Sequence, residues 1–180
     1  IPQIDPEVQV VLLAGAPDTE EIAREMEEHV AEARAKRSGV IWVDEMVSRL
    51  DVIQFYSHAT VFCCPSVYEP FGIINLEAMA CETPVVASRI GGIPEVVVPE
   101  ETGLLIDLEL QAGTFLPRNP EAFSRGLAEG INRIAKDRAL AEEMGKAGRK
   151  RAEEHFSWRA IAEKTLELYE GLVARRKAEA

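Results

Sequence analysis

The stretch that decides the fold is CPSVYEPFGIINLEAMACETP, residues 64–84, and its centre is the segment from Glu69 to Glu77. Two carboxylates in this segment are separated by seven residues. Pro70 disfavours helical backbone geometry at the residue before it, so Glu69 is expected on a loop. The segment therefore predicts a loop that carries one carboxylate and leads toward the other.

A helix is predicted to begin directly after this loop. From Ile73 onward the residues are helix formers with apolar spacing, and Gly72 before them can bend sharply. Neither Phe71 nor Gly72 carries a capping side chain, so the first amide protons of the helix are expected to lack a local partner. A helix N-terminus with free amides favours an anion, most often a phosphate. Glu77 then lies about one turn inside the helix.

Outward from this stretch, short apolar runs alternate with helical patterns. Apolar runs of this kind are typical of strands covered on both faces of a parallel sheet. The predicted strands are 8–14, 40–43, 60–64, 84–87 and 102–107. Helices are expected after caps at Asp18, Ser48, Asn119, Asp137 and Ser157, with a short one at Pro94. This order predicts an α/β fold of one domain, 1–180, with a parallel sheet flanked by helices and a helical C-terminal tail. In such sheets ligands bind outside the carboxyl ends of the strands.

Composition excludes several classes of partner. The 180 residues carry a formal net charge of -11, which argues against a nucleic-acid or anionic-membrane surface. No apolar run approaches membrane-spanning length. The three cysteines, Cys63, Cys64 and Cys81, lie in apolar contexts and are expected to be core thiols. Together with the absence of a signal peptide, they favour a cytoplasmic location. The three histidines are far apart, so no metal site is expected.

The two carboxylates suggest chemistry with sugars. A general acid/base pair is disfavoured, because Glu69 on a loop and Glu77 within a helix are not placed to flank one bond. A better division assigns Glu69 to the hydroxyls of a sugar and Glu77 to the vicinal hydroxyls of a ribose. The alternative at each position is an ordinary surface glutamate. No G-x-G-x-x-G, Walker or G-x-S-x-G motif is present.

A family resemblance rests on these residues. CPSVYEPFGIINLEAMACETPVVAS, followed by GGIPEVV, resembles the carboxyl-terminal donor-binding domain of bacterial glycogen synthases. These belong to the retaining glycosyltransferases with two Rossmann-like domains, the GT-B fold, for which the Glu-x7-Glu pattern is a hallmark. LLAGAPDTEEI and the FSW at 156–158 extend the resemblance over the whole chain.

The resemblance implies a role for each matching residue. Glu69 would be the catalytic-site carboxylate that contacts the donor glucose, and Glu77 would hold the ribose. The backbone amides of Phe71, Gly72, Ile73 and Ile74 would meet the sugar and diphosphate. The loop from Val43 to Met46 would border the base. No metal or cofactor is implied beyond the donor substrate.

The activity implied is transfer of glucose from ADP- or UDP-glucose to the non-reducing end of an α-1,4-glucan, with retention. This chain alone is expected to be inactive, with the glucan bound through an N-terminal domain outside it. Another retaining hexosyltransferase, of mannosyl or sucrose type, remains open as an alternative. So does a non-catalytic nucleotide-binding or assembly module. The expected partners include neither nucleic acid nor a membrane.

Two departures from the family pattern are visible. Many relatives have Gly where this chain has Glu82, a change expected to be tolerated unless its charge weakens diphosphate binding. The family's domain also opens with a strand and a basic loop before the position of Ile1. We therefore expect a sheet without its first strand, either rearranged or pairing with another chain at an exposed strand edge.

Overall fold

The computed structural model describes residues 1–15 and 17–178, and it has an α/β fold of parallel strands and helices. The strands are β1 (Val10–Leu13), β2 (Val40–Val43), β3 (Phe62–Cys64), β4 (Val85–Arg89) and β5 (Gly103–Asp107). The helices are α1 (Glu20–Lys36), α2 (Arg49–His58), α3 (Ile73–Ala80), α4 (Ile93–Val96), α5 (Pro120–Lys136), α6 (Arg138–Arg151) and α7 (Trp158–Ala178). The predicted fold class is confirmed, including the helix at the C-terminus.

The strands form two separate parallel sheets, whereas the sequence predicted one. β1 pairs with β2, and the second sheet has the order β3-β4-β5. Within the described residues no strand joins β1 to β3, so each of these two strands keeps an unpaired edge. The division falls beside β1, where the sequence predicted a rearrangement. Whether another chain pairs with these edges stays a prediction.

Local capping signals account for most helix starts. The side chains of Ser48, Asn119, Asp137 and Ser157 each accept a hydrogen bond from an amide three residues ahead, as predicted. The prediction at Asp18 was wrong by one residue, because Thr19 Oγ1 accepts the amide proton of Ile22 at 3.2 Å. Caps of this kind stabilise a helix from within the sequence, so they are visible before any tertiary contact forms.

The core is built on both faces of the β3-β4-β5 sheet. Val85 and Val86, adjacent on β4, are both fully buried but belong to two different apolar clusters. One cluster includes residues of α2, α3 and α4, and the other includes residues of α5 and α6 together with Ile4. Successive strand residues point to opposite faces, so β4 is covered on both sides. The continuous apolar run predicted this arrangement.

The exits of β3 and β4 lie at the same edge of the sheet, and a buried hydroxyl ties them together. Ser88 on β4 donates its hydroxyl proton at 3.3 Å to the carbonyl of Cys64 and at 2.5 Å to the carbonyl of Ser66. Ser88 is fully buried. The loop that follows β3 is thereby fixed to the neighbouring strand before it reaches α3.

The C-terminal region contains an element that the sequence did not predict. A π-helical turn, Ala152–Phe156, connects α6 to α7. The apolar residues of α7 are largely exposed, with Trp158 at 89% exposure and Leu168 and Leu172 more than half exposed. Burial of such residues depends on what packs against the helix.

Glu82 occupies a backbone conformation that favours glycine. It follows α3 with φ of 61°, in the left-handed region. Its carbonyl oxygen lies so close to Gly145 of α6 that a β-carbon at residue 145 would overlap it. Residue 82 is at the C-terminal end of α3, about 12 Å along the axis from the amides at its N-terminus. That separation exceeds the screening length in physiological salt, so the Glu82 charge acts weakly at those amides.

Glu82→Gly is expected to raise the free energy of unfolding by about 1 kcal/mol, or the Tm by about 3 °C, because glycine removes the left-handed strain. Thermal unfolding followed by circular dichroism measures the change. Glu82→Ala is the matched control, since it removes the charge and keeps the β-carbon. A Tm that rises equally in both variants would attribute the effect to charge and contradict the strain argument.

Candidate functional site

The N-terminus of α3 is open, as the sequence predicted. Gly72 is the N-cap residue with φ of 103° and ψ of 41°, and no side chain caps the helix there. The amides of Ile73 and Ile74 have no hydrogen-bond acceptor among the described residues, and both residues are exposed. These amides and the positive end of the helix dipole favour an anion in front of them.

The Glu69 carboxylate lies against the loop amides beside this helix end. Its Oε1 accepts the amide proton of Gly72 at 2.9 Å and that of Phe71 at 3.3 Å. The sequence predicted Glu69 on a loop, and the structure places it there. These two hydrogen bonds were not predicted, because the loop conformation decides whether the Glu69 side chain turns toward the amides two and three residues ahead.

Two glycines of the loop after β4 hold this arrangement from behind. The amide of Gly92 donates to the carbonyl of Glu69 at 3.0 Å. A β-carbon on Gly91 would overlap that same carbonyl oxygen, and one on Gly92 would lie 2.5 Å from the carbonyl oxygen of Pro70. Neither glycine was among the predicted site residues. The signal that could have revealed their role is that only residues without a β-carbon allow two backbones to approach so closely.

Phe71 is fixed on its other side by the C-terminal region. Its ring lies 6.0 Å from the ring of Phe156 in the π-helical turn, in an edge-to-face arrangement. The Arg151 guanidinium carbon lies 5.5 Å from the centre of the Phe156 ring. Arg151 also donates to the carbonyls of Glu95 and Val96 at the end of α4. The turn therefore places the Phe156 ring against Phe71, and the last residue of α6 places a cation against the Phe156 ring.

Glu77 is exposed on α3, four residues beyond Ile73. Beneath it lies Tyr56 of α2, which is buried and packs edge-to-face on Phe62 at 5.3 Å. Burial raises the pKa of Tyr56 to about 12, and the nearby Glu77 carboxylate adds to that rise. Tyr56 was not among the predicted site residues. Its place beside Glu77 depends on how α2 packs on α3, so sequence gave no signal for it.

Asn75 is the most unusual side chain of the site. It belongs to the first turn of α3 and is fully buried, yet neither its oxygen nor its nitrogen has a hydrogen-bond partner in the described part of the chain. Its Nδ2 would lie 2.9 Å from a β-carbon placed on Gly72. Asn75 was not among the predicted site residues, although an asparagine between Ile74 and Leu76 was a visible signal.

The predicted base-binding loop lies at the end of β2. Val43 is the last residue of that strand, and Met46 is 81% exposed with its sulfur against Gly15. Val43 ends a strand of the β1-β2 sheet and Met46 follows it, whereas α3 packs on the β3-β4-β5 sheet. Glu69, Phe71, Gly72, Ile73, Ile74 and Glu77 are brought together at one helix end, whereas the role of the β2 loop stays a prediction.

Two classes of feature are absent from the described residues. Residues 1–15 and 17–178 contain no cluster of three or more His, Cys, Asp or Glu side chains that could hold a metal ion. Over the same residues, no helix is long and apolar enough to cross a membrane.

Comparison with known families decides the assignment. Residues 2–151 match the family model described as glycosyl transferases group 1. The chain belongs to this family. The match includes the loops after β3 and β4 and all of α3, so the candidate site lies within the matched residues.

Two kinds of synthase resemble the chain to different degrees. The chain is 51% identical to an alpha-maltose-1-phosphate synthase of Mycolicibacterium smegmatis over 91% of its length, which is 41% of that protein. It is 32% identical to a glycogen synthase of Mycobacterium tuberculosis over 79% of its length, which is 32% of that protein. The chain therefore spans less than half the length of these relatives. The predicted assignment to glycogen synthases is not confirmed, because the similarity to the maltose-1-phosphate synthase is greater.

Solved structures confirm the fold. Sucrose-phosphate synthase from Thermosynechococcus elongatus superimposes with a TM-score of 0.71 at 37% identity, covering 93% of this chain and 39% of that one. The Anabaena protein HepE, solved in complex with UDP-glucose, superimposes with a TM-score of 0.72 at 23% identity, covering 94% of this chain and 43% of that one. The fold is that of the C-terminal domain of GT-B glycosyltransferases.

Gly91→Ala is expected to destabilise the protein by at least about 2 kcal/mol, because the new methyl group overlaps the Glu69 carbonyl and forces the loop away. Gly113→Ala is the matched control: residue 113 also has a positive φ, of 73°, but has open space around it. The control is expected to cost only about 1 kcal/mol. Urea unfolding measures both, and equal losses would contradict the close-approach argument.

Proposed function

We propose that this chain is the donor-binding half of a retaining glucosyltransferase that uses a nucleotide-glucose. The observation that carries the proposal is the open N-terminus of α3, with free amides at Ile73 and Ile74 and a carboxylate on either side. Membership of the group 1 glycosyl transferases supports glycosyl transfer as the chemistry. The location at the exits of β3 and β4 agrees with the general rule for ligands of α/β sheets.

In the proposed complex the sugar and diphosphate face the backbone amides of Phe71, Gly72, Ile73 and Ile74, which stabilise the charge that develops when the nucleoside diphosphate departs. Glu77 accepts hydrogen bonds from the ribose hydroxyls, because a carboxylate has two oxygens for a vicinal diol. Glu69 accepts from the hydroxyls of the donor glucose. The loop from Val43 to Met46 borders the base. No metal ion or prosthetic group takes part in the proposal.

The acceptor we propose is glucose 1-phosphate, and the product is α-maltose 1-phosphate. Maltose 1-phosphate is a glucosyl unit joined to glucose 1-phosphate, so its synthesis from a nucleotide-glucose requires transfer to that acceptor. The support is the 51% identity to a protein named alpha-maltose-1-phosphate synthase. Elongation of an α-1,4-glucan is the second candidate, supported by the 32% identity to a glycogen synthase. The acceptor would bind mainly outside this chain, and a cytoplasmic location belongs to the same proposal.

An acceptor assay on the full-length protein tests this proposal. ADP-glucose and UDP-glucose are each supplied with glucose 1-phosphate or with glycogen, and release of the nucleoside diphosphate is measured. We expect release with glucose 1-phosphate and formation of a disaccharide phosphate. Release with glycogen alone would favour glucan elongation. Binding of the nucleotide-glucose without transfer to either acceptor would favour the alternatives, another hexosyltransferase or a non-catalytic nucleotide-binding module.

Glu77→Gln is expected to weaken nucleotide-glucose binding about tenfold, because a charge-assisted hydrogen bond to the ribose is lost. Isothermal titration calorimetry measures the Kd. Glu143→Gln, an exposed residue on α6, is the control with the same change of charge. Equal affinities in the wild-type protein and Glu77→Gln would exclude the ribose role.

A further inference from the structure

The starting point is the unsatisfied carboxamide of Asn75. A buried polar group without a partner costs free energy, so a side chain of this kind calls for an explanation. A β-carbon placed on Gly72 would lie 2.9 Å from the Nδ2 of Asn75 and 3.8 Å from the Cγ of Glu69. An unused donor and acceptor therefore sit directly beneath the loop that carries Glu69.

The Glu69 carboxylate occupies backbone donors that the donor substrate would need. Its oxygen occupies the amides of Phe71 and Gly72, which belong to the set that the proposed function assigns to the donor. A phosphate oxygen and a carboxylate oxygen cannot share these two donors, because both are anions and each needs the same N–H directions. In the present arrangement that oxygen already accepts two amide protons, so it is less available to a sugar hydroxyl.

Only part of the loop is free to change. The carbonyl of Glu69 is held by the amide of Gly92, and the preceding residues are tied to Ser88. The Glu69 side chain itself is only partly buried, and Gly72 has backbone freedom that other residues lack. Pro70 and Phe71 pack against Gly92, so movement is confined to the Glu69 side chain and the backbone of Gly72.

We propose that residues 69–72 form a two-position loop and that Asn75 is a positioning residue for its second position. In the first position, seen here, the Glu69 carboxylate caps the amides of Phe71 and Gly72 and Asn75 has no partner. In the second position the donor diphosphate takes those amides, Glu69 turns to the sugar, and the shifted loop supplies a partner to the Asn75 carboxamide. This inference rests on the proposed function, because the diphosphate is what displaces Glu69.

Glu69→Gln tests the displacement. Removal of the competing negative charge is expected to tighten binding of ADP or UDP, which lack the sugar, by about threefold. In the same variant, the ratio of the Kd for the nucleotide-glucose to the Kd for the free nucleotide is expected to rise about tenfold over its wild-type value, because the sugar loses its charged acceptor. Titration calorimetry on the protein measures both Kd values, with Glu143→Gln as the charge-matched control. An unchanged or weakened Kd for the free nucleotide would overturn the displacement.

Asn75→Leu tests the positioning role with two readouts of opposite sign. Because the carboxamide has no partner in the free protein, an apolar side chain of similar size is expected to raise the Tm by about 3 °C. Loss of the second-position partner is expected to weaken nucleotide-glucose binding about tenfold. An asparagine with a purely structural role would instead lower the Tm on replacement and leave the Kd unchanged.

Asn132→Leu is the matched control, because Asn132 makes hydrogen bonds to the backbone of Gln3 and Asp5. It is expected to lower the Tm and leave the Kd unchanged. A fall in Tm for Asn75→Leu would show that the carboxamide has a partner in the free protein, and this would overturn the inference. An unchanged Kd for the nucleotide-glucose would overturn it as well, because Asn75 would then have no positioning role. If the wild-type protein binds no nucleotide or nucleotide-glucose, the proposed function fails instead. The Tm of Asn75→Leu still tests the unpartnered state in that case.

Discussion

The contact between two backbones at the exits of β3 and β4 is the constraint on which the site depends. Gly91 and Gly92 lie so close to residues 69–71 that neither position has room for a β-carbon. One hydrogen bond, from the amide of Gly92 to the carbonyl of Glu69, fixes the alignment. With the backbone of Glu69 held in this way, α3 begins at a defined place and its free amides face outward. A side chain at either glycine would separate the loops and move the helix end.

The same constraint explains how a short, uncapped helix can support a binding site. α3 has eight residues and no capping side chain, so local sequence alone stabilises it weakly. Its inner face, however, includes Ala78 and Met79, which are fully buried against the sheet. Arg149 of α6 donates to the carbonyl of Ala80 at the other end of the helix. Tertiary packing thus replaces the cap and leaves the N-terminal amides available for a ligand.

The division of the sheet has a consequence for how the site relates to the rest of the molecule. All six site residues predicted around α3 belong to the β3-β4-β5 half, whereas Val43 and Met46 belong to the β1-β2 half. The two halves do share an apolar cluster that includes Val10 and Cys63. A nucleotide that spans both halves would place its phosphates on the β3-β4-β5 half and its base on the β1-β2 half. The donor site as proposed therefore depends on the spacing between two sheets, which no single motif encodes.

The sequence by itself determined the element order, most helix caps and the position of α3, because these depend on residues close together in the chain. Pro70, Gly72 and the apolar spacing after them are sufficient to place a loop and a helix start. Family resemblance from the same residues identified the glycosyltransferase class, although it favoured glycogen synthases over the more similar maltose-1-phosphate synthases. Only the tertiary structure decided that the sheet is divided, that Glu69 folds back onto its own loop, and that Asn75 is buried without a partner. Those features depend on contacts such as Gly92 with Glu69, between residues more than twenty positions apart, and a local pattern cannot specify them.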